Sequence, residues 1–271
     1  MWRIRFSFVL LVLLPLGAGA FELTAGAPTV LITGANRGIG FELARQYADR
    51  GWNVIATARR PADDPGLADL RALAAKHPNV AIERIDVTDT AMIRAVATKY
   101  RDRPIDVLIN NAAAVEDTFA ADMKAATVPY DQIDYDAARH DFDVNALGAM
   151  RMVQAFSPNI ERSKQKKIAT ITSLAGSFGR PLPGATAMNY SASKAALNKY
   201  MVMLSFAVKP KGIVVGLFQP IFVASKRDMK GMQGAAPVDQ EVGKLIKLID
   251  TLAEDRSGKI TNFSTGQIDP F

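Results

Sequence analysis

A tyrosine and a lysine stand four residues apart in the second half of the chain, and together they could carry acid–base chemistry. Tyr190 and Lys194 lie in a segment of helical period, so this spacing places both side chains on one face of the predicted helix. A free phenol has a pKa of about 10 and is a poor base at neutral pH. A neighbouring ammonium stabilises the phenolate and lowers that pKa, which makes proton transfer feasible.

Two further polar residues could complete such a site. Ser173 follows an apolar run upstream of Tyr190 and could hydrogen-bond a substrate oxygen, while Asn145 stands near the start of another predicted helix and could hold a water for proton exchange. The run Ser191 to Lys194 also matches the S-x-x-K pattern of acyl-transfer enzymes. No S-D-N or K-T-G motif accompanies it, so we set that hypothesis aside.

The turn after the first predicted strand has a composition suited to binding phosphate. It leads directly into a predicted helix and consists of Thr33-Gly34-Ala35-Asn36-Arg37-Gly38-Ile39-Gly40. Glycines let the backbone turn tightly and approach a pyrophosphate, and the helix N-terminus supplies free N–H groups and a favourable dipole. The spacing is G-x-x-x-G-x-G rather than G-x-G-x-x-G, and we interpret it as a dinucleotide-binding turn.

The end of the second predicted strand indicates which dinucleotide binds. An acidic residue there would hydrogen-bond the ribose 2′-hydroxyl of NAD. This strand ends in Ala58, where the acid is expected, and Arg59 follows. A guanidinium can pair with the 2′-phosphate of NADP, and Arg37 could assist. The sequence therefore favours NADP, with NAD as the alternative.

Short apolar runs alternate with segments of helical period over the whole chain after residue 28. The predicted strands are Val30–Ile32, Val54–Ala56, Val80–Ile82, Ile105–Ile109, Ile168–Ile171 and Ile213–Phe218. The predicted helices are Phe41–Arg50, Gly66–Lys76, Ala91–Tyr100, Phe142–Ile160, Tyr190–Val208 and Val238–Leu252. This alternation predicts a single α/β domain over 21–271, a Rossmann-type, doubly wound parallel sheet with helices on both faces.

Composition excludes several kinds of site. The 271 residues include no cysteine and two histidines, which excludes thiolate catalysis, Fe–S clusters and a multi-histidine metal centre; we predict no metal. The net charge of +6 is spread along the chain. The densest basic cluster, 164–167, has no aromatic neighbours, so we predict no nucleic-acid binding.

The first twenty residues differ from the remainder. Arg3 and Arg5 precede an apolar stretch of about ten residues, and Ala18-Gly19-Ala20 follows, which is the pattern of a secretory signal peptide. We expect export, with an uncleaved anchor or an organelle-targeting segment as alternatives; a protein whose N-terminus is no signal would be cytoplasmic. Any membrane attachment would be through 1–20.

These motifs, taken in order, resemble the short-chain dehydrogenase/reductase family. The matching features are Thr33–Gly40, Asp86-Val87, Asn110-Asn111-Ala112-Ala113, Asn145, and Ser173 with Tyr190 and Lys194. The resemblance implies that Tyr190 is the acid/base, that Lys194 lowers its pKa and binds the nicotinamide ribose, that Ser173 polarises the carbonyl and that Asn145 completes a tetrad. It also implies cofactor contacts at Gly34, Asn36, Arg37, Gly38, Ile39, Gly40, Arg59, Asp86, Val87, Asn110, Ala112, Tyr190, Lys194, Pro220 and Val223.

The residues near the end of the sequence are similar to the C-factor and carbonyl-reductase-like branch of that family. The similarity is carried by Asp228 to Gly231, Ser257 to Phe263 and Ile268 to Phe271. It implies NADPH-dependent reduction of a small-molecule aldehyde or ketone. The stretches 114–134 and 177–189, which would line the substrate site, are mostly small or apolar, and this composition indicates an uncharged substrate. The alternatives are a C-factor-type signalling or scaffold protein and, within enzymes, a sugar-nucleotide epimerase.

Some positions depart from the family pattern. The usual N-N-A-G ends in Ala113, Pro220-Ile221 replaces Pro-Gly, and Ser225 stands for a threonine. The resemblance implies that the segment 220–225 contacts the nicotinamide amide. Relatives often pair through the helices at 142–160 and 190–208, and we therefore predict a homo-oligomer, a dimer or a tetramer.

Overall fold

The computed structural model describes residues 23–115, 129–180, 187–220, 223 and 235–271. They form one eight-stranded sheet with the order β3-β2-β1-β4-β5-β6-β7-β8, parallel except for β8, which runs antiparallel to β7. The strands are β1 Thr29–Ile32, β2 Asn53–Ala58, β3 Val80–Arg84, β4 Val107–Asn110, β5 Lys167–Ile171, β6 Val214–Gln219, β7 Ile260–Asn262 and β8 Ile268–Asp269.

Helices cover both faces of this sheet. They are α1 Gly38–Asp49, α2 Ala68–Lys76, α3 Thr90–Lys99, α4 Tyr135–Phe142, α5 Ala149–Glu161, α6 Met188–Val208 and α7 Val238–Asp250. Val30 and Ile32 of β1 belong to a core cluster that includes residues of α1, α2 and α7, while Leu31 belongs to a second cluster that includes residues of α3, α5 and α6. The strands are buried on both faces, and this explains why they are apolar without alternation.

This architecture confirms the predicted doubly wound α/β fold. The strand order reverses between β1 and β4, and in such sheets ligands bind at the carboxyl ends of the strands beside that switch point. The glycine turn follows β1, and Asn110 ends β4. The predicted dinucleotide-binding residues therefore lie at the edge of the sheet where a ligand is expected.

The predicted helix Phe142–Ile160 was wrong in its boundaries. The helical segment starts earlier, with α4, and 143–148 is a π-helical turn before α5 begins. A Cβ atom added to Gly148 would lie 2.8 Å from Val87 Cγ2, so the turn approaches its neighbour more closely than a side chain would allow. Such extra-residue turns cluster at functional sites, and this one contains Asn145.

Two strands, β7 and β8, were not predicted. They have three and two residues, too few to show a periodic pattern. Within the part of the chain that the structure describes, no helix is both long enough and apolar enough to cross a bilayer. The predicted signal segment 1–20 and most of the predicted loop 114–134 lie outside the described residues.

Candidate functional site

The glycine turn has the backbone conformation that its sequence predicts. Gly34 and Gly38 have φ values of 66° and 58°, in the left-handed region that side chains disfavour. A Cβ atom on Gly40 would lie 2.3 Å from the carbonyl oxygen of Gly34 and 2.4 Å from Asn111 Nδ2. Each of these glycines is therefore required by the geometry of the turn.

Thr33 and Asn111 attach this turn to β4. The Thr33 hydroxyl accepts hydrogen bonds from the backbone N–H groups of Asn111 (2.9 Å) and Ala112 (3.0 Å). Asn111 Nδ2 donates to the carbonyl oxygens of Thr33 (2.9 Å) and Gly34 (3.2 Å). Both residues belong to motifs seen in the sequence, but no role was predicted for them. The structure shows that they hold the turn in place.

The turn fits the phosphates of a dinucleotide. Helix α1 starts at Gly38, its N-cap residue Arg37 makes no side-chain capping bond, and its first turn contains no acidic residue. Such a helix end attracts anions through its N–H groups and dipole. Nearby, Asn110 Nδ2 donates weakly to Thr170 Oγ1 at 3.5 Å, whereas the buried Asn110 Oδ1 has no hydrogen-bond partner among the described residues. That oxygen is available to a ligand.

The ends of β2 and β3 carry the positive charge expected near a 2′-phosphate. Arg59 is exposed, and Arg84, directly across from Ala58 on β3, donates from Nε to the Arg59 carbonyl oxygen at 3.2 Å. Arg60 is ion-paired with Asp64 at 3.4 Å. Arg84 was missed by the sequence analysis because only strand pairing brings it beside Arg59.

Asp86 is held as a carboxylate beside these arginines. Partial burial would raise the pKa of the Asp86 carboxyl, but hydrogen bonds from Thr88 and the charges of Arg59 and His140 keep that pKa below its usual value. The Thr88 hydroxyl donates to Asp86 Oδ1 at 2.7 Å. The bonds from Thr88 fix the Asp86 carboxylate at the side of the cleft where the resemblance places adenine.

The other predicted cofactor residues lie along the same edge of the sheet. Val87 is buried under this edge, Ala112 approaches Gly34, and Ile39 packs on the core. Asn36, Arg37 and Pro220 keep some exposure, and Val223 is buried and forms an isolated bridge with Ala236. Ile221 and Ser225, two of the departures from the family pattern, lie outside the described residues.

The structure brings Ser173, Tyr190 and Lys194 together at the end of β5. The Ser173 hydroxyl interacts with the Tyr190 phenol and acts to lower its pKa. Lys194 Nζ lies 5.6 Å from the centroid of the Tyr190 ring and donates to the Ile171 carbonyl oxygen at 3.1 Å. Two neighbouring hydroxyls can address one substrate oxygen, as the sequence predicts for Ser173 and Tyr190.

Burial sets the protonation state of this pair. It raises the pKa of Tyr190 to about 12, although the hydrogen bond from Ser173 acts to lower that pKa and the charge of Asp141 adds to the increase. Burial also lowers the pKa of Lys194 to about 8, against the charge of Asp141, which acts to raise it. The direction for Tyr190 is opposite to the expected activation, because desolvation of the phenolate is the largest effect.

Asn145 makes a structural connection. Its Oδ1 accepts from the Ala114 N–H at 2.8 Å, and its Nδ2 donates to the Ala114 carbonyl (2.9 Å) and to Ser193 Oγ (2.9 Å). Ser193 in turn donates to the Tyr190 carbonyl oxygen at 2.7 Å. The buried side chain thus links the segment after β4 to helix α6, and its suggested role in holding a water stays a prediction.

Asn198 and Gly176, which the sequence analysis missed, set the distance between β5 and α6. The Thr172 hydroxyl donates to Asn198 Oδ1 at 2.5 Å, and Asn198 Nδ2 donates to the Gly176 carbonyl at 3.0 Å. A Cβ atom on Gly176 would lie 2.7 Å from the backbone carbon of Lys194. These contacts hold Ser173 opposite Tyr190. The described residues contain no cluster of metal-ligating side chains.

Similar proteins are found by sequence and by structure. Residues 28–235 match the family description "short chain dehydrogenase". The chain is 28% identical over 252 residues to the short-chain dehydrogenase srdF of Neurospora crassa, covering 88% of this chain and 95% of that protein. It is 31% identical over 176 residues to C-signal of Myxococcus xanthus, covering 65% of this chain and 99% of that protein.

A solved structure has a similar fold. Carbonyl reductase from chicken fatty liver, crystallised with NADPH, superposes with a TM-score of 0.80 at 28% identity, covering 90% of this chain and 99% of that one. The family match spans more than half of the sequence and includes the glycine turn, Asn145 and the Ser173–Tyr190–Lys194 group. This chain therefore belongs to the short-chain dehydrogenase/reductase family of oxidoreductases.

Proposed function

We propose that the protein reduces the carbonyl group of a small aldehyde or ketone to an alcohol and that its cofactor is NADPH. The observation that carries this proposal is the grouping of Ser173, Tyr190 and a buried Lys194, whose Nζ lies 5.6 Å from the Tyr190 ring, at the end of the sheet where the glycine turn lies. Relatives support it, since the chicken enzyme is named a carbonyl reductase and was crystallised with NADPH.

The chain supplies the proton and the orientation. Bound NADPH would supply a hydride to the carbonyl carbon. Ser173 and Tyr190 would both hydrogen-bond the carbonyl oxygen, and Tyr190 would give it the proton as negative charge develops there. A pKa of about 12 keeps Tyr190 a phenol at neutral pH, which suits proton donation better than abstraction. The Lys194 ammonium would stabilise the resulting phenolate.

The cofactor would be held by the residues at the carboxyl ends of β1 to β4. The turn Gly34–Gly40 and the start of α1 fit the pyrophosphate, and Asn110 offers its unpartnered oxygen. The guanidinium of Arg59, with Arg84 beside it and Arg37 in the turn, fits the 2′-phosphate that distinguishes NADPH from NADH.

The first test is Tyr190→Phe, which removes the proton donor and leaves the ring. We expect turnover of a panel of aldehydes and ketones to fall by at least about 1,000-fold, consistent with loss of an acid catalyst and of a contact that strengthens in the transition state. NADPH affinity, measured by fluorescence titration, should stay within about threefold. Substantial activity remaining in this variant would refute the role of Tyr190.

A second candidate function is a signalling or scaffold protein that binds the dinucleotide without turnover, and the similarity to C-signal favours it. The same experiment separates the two. A wild-type protein that binds NADPH tightly and reduces no member of the carbonyl panel would support the second function.

Assembly and location are separate proposals. Helix α6 exposes Tyr200, Met203 and Phe206, which are 38%, 53% and 67% exposed, and this apolar face supports our prediction of a homo-oligomer. Size-exclusion chromatography with light scattering tests it. Export remains a proposal that rests on residues 1–20, and fractionation of cells expressing the chain with and without those residues tests it.

A further inference from the structure

Near the catalytic residues lies another ionisable side chain, Asp141, to which the proposed mechanism gives no role. Asp141 lies near the end of α4, four residues before Asn145, and none of its surface is exposed. Helix α4 packs against α6, which carries Tyr190 and Lys194. A fully buried aspartate is rare unless its charge is compensated.

Lys194 is a buried cation that requires a nearby negative charge to stay protonated. It is only 2% exposed, and the hydrogen bond from its Nζ goes to the Ile171 carbonyl, which is neutral. An ammonium buried without an opposite charge either loses its proton or destabilises the fold. A protonated Lys194 at neutral pH therefore needs a carboxylate within electrostatic reach.

The hydrogen bonds between the two helical segments bring Asp141 close to this lysine. Asn145, four residues after Asp141, donates from Nδ2 to Oγ of Ser193, the residue before Lys194, at 2.9 Å. The charge of Asp141 accordingly acts to raise the pKa of both Lys194 and Tyr190. Among the described residues, the other buried carboxylates have partners elsewhere: Glu42, Glu83 and Glu241 are ion-paired with Arg45, Lys99 and Lys244, and Asp106 accepts from the Thr29 N–H at 2.9 Å. Removal of Asp141 would thus leave the catalytic pair without this compensation.

We propose, as an extension that rests on the proposed function, that Asp141 is a positioning residue whose buried carboxylate is the counter-charge that keeps Lys194 an ammonium. An ammonium beside Tyr190 stabilises the phenolate that remains after proton donation, so Asp141 sets the pH range over which reduction runs.

The other charged groups around Asp141 have different surroundings. Among the described residues, Tyr190 and Lys194 face it from α6, and His140 neighbours it on α4. Asp143, in the π-helical turn, is ion-paired with Arg151 at 2.5 Å. Asp143 is therefore a matched control, a partly exposed carboxylate two residues away that is ion-paired with Arg151.

The test measures the titration of Lys194 directly, by NMR of protein labelled at the lysine Nζ and Cε, with Lys194→Met to assign the signal. We expect a midpoint near pH 8 in the wild type and a midpoint at least about one pH unit lower in Asp141→Asn, because the charged form loses its compensation. Asp141→Glu should stay near the wild-type value, and Asp143→Asn should not move it. An unchanged midpoint in Asp141→Asn, or an equal shift in Asp143→Asn, would overturn the proposal.

Turnover gives a second readout. Reduction requires the Lys194 ammonium, so its rate should fall as pH rises through about 8 in the wild type. In Asp141→Asn, this fall in rate should begin at a lower pH, displaced by about as much as the Lys194 midpoint. A merely structural role of Asp141 would not displace the pH profile. The NMR titration needs no substrate, so an enzyme that turns over no carbonyl refutes the proposed function and leaves the counter-charge separately testable.

The proposal can also be tested if Asp141→Asn fails to fold. If Asp141→Asn does not fold, Asp141→Ser takes its place in the titration. If neither folds, the proposal predicts that adding Lys194→Met to Asp141→Asn restores the folded state, since both buried charges are then gone. A double variant that also fails to fold would overturn the counter-charge role.

Discussion

The two halves of the cleft are built by different means. The half formed by β1, β2 and β3 is shaped by backbone: glycines in left-handed conformations, a helix start without a side-chain cap, and carbonyl groups held by Asn111. The half formed by β5, α4 and α6 is shaped by buried polar side chains, with Asn145, Asn198 and Asp141 linking separate elements. In the first half, the shape of the backbone determines cofactor affinity. In the second half, the distances and charges of side chains determine the reaction rate.

This difference makes the two halves separable by mutation. A variant of the backbone-shaped half should lose cofactor affinity and retain the rate at saturating cofactor. A variant of the side-chain-shaped half should retain cofactor affinity and lose rate.

Gly40→Ala tests the backbone-shaped half and has the largest expected effect on cofactor affinity. The added methyl would lie 2.3 Å from the Gly34 carbonyl oxygen, so the turn must move. We expect NADPH affinity, measured by fluorescence titration, to fall by at least about 30-fold, with a smaller loss in the rate at saturating NADPH. Gly243→Ala is the control, because its methyl meets only Gln46 Oε1 at 3.6 Å. Similar losses in both variants would contradict the close-approach explanation.

Asn198→Ala tests the side-chain-shaped half. It leaves the buried Thr172 hydroxyl and the Gly176 carbonyl without their partner, so Ser173 and Tyr190 can drift apart. We expect kcat for carbonyl reduction to fall about tenfold with NADPH affinity unchanged, and unfolding to become easier by about 1–3 kcal/mol. Asn159→Ala, which removes a buried amide bonded to the Tyr100 and Arg103 carbonyls at 2.7 Å, should cost similar stability and little rate.

Arg59→Ala sharpens the comparison within the cofactor half, and its effect is limited because the side chain is exposed and its interactions are screened by solvent. NADPH affinity should fall about tenfold while NADH affinity stays nearly constant, as competition titrations would show. Arg60→Ala should change neither, because Arg60 is paired with Asp64. An equal loss for both cofactors in Arg59→Ala would remove the 2′-phosphate assignment.

The backbone-shaped half of the cleft could largely be predicted from the sequence, because its features are local. The glycine turn is a contiguous run that precedes a helix, so Gly34, Gly38 and Gly40 can be recognised without knowing any tertiary contact. Likewise, the parallel strands are apolar runs, and their order follows from the family resemblance. Tyr190 and Lys194 lie one helical turn apart, so their proximity was predictable too.

The remainder depends on contacts between distant parts of the chain. Arg84 reaches Arg59 only through strand pairing, and Asn198 reaches Thr172 only because α6 crosses β5. The π-helical turn at 143–148 has no local sequence mark other than Gly148, so 142–160 was predicted as one regular helix. The raised pKa of Tyr190 follows from burial, which spacing along a helix does not reveal.

The bonds between Thr33 and Asn111 also bear on the order of folding. The glycine turn follows the first strand, yet the groups that hold it come from residues 111 and 112, almost eighty positions later. A growing polypeptide that has left the ribosome only as far as β3 would contain the whole phosphate loop and lack its support. The nucleotide could then assist maturation only after β4 has inserted between β1 and β5, which makes that insertion the step at which ligand addition should begin to accelerate refolding.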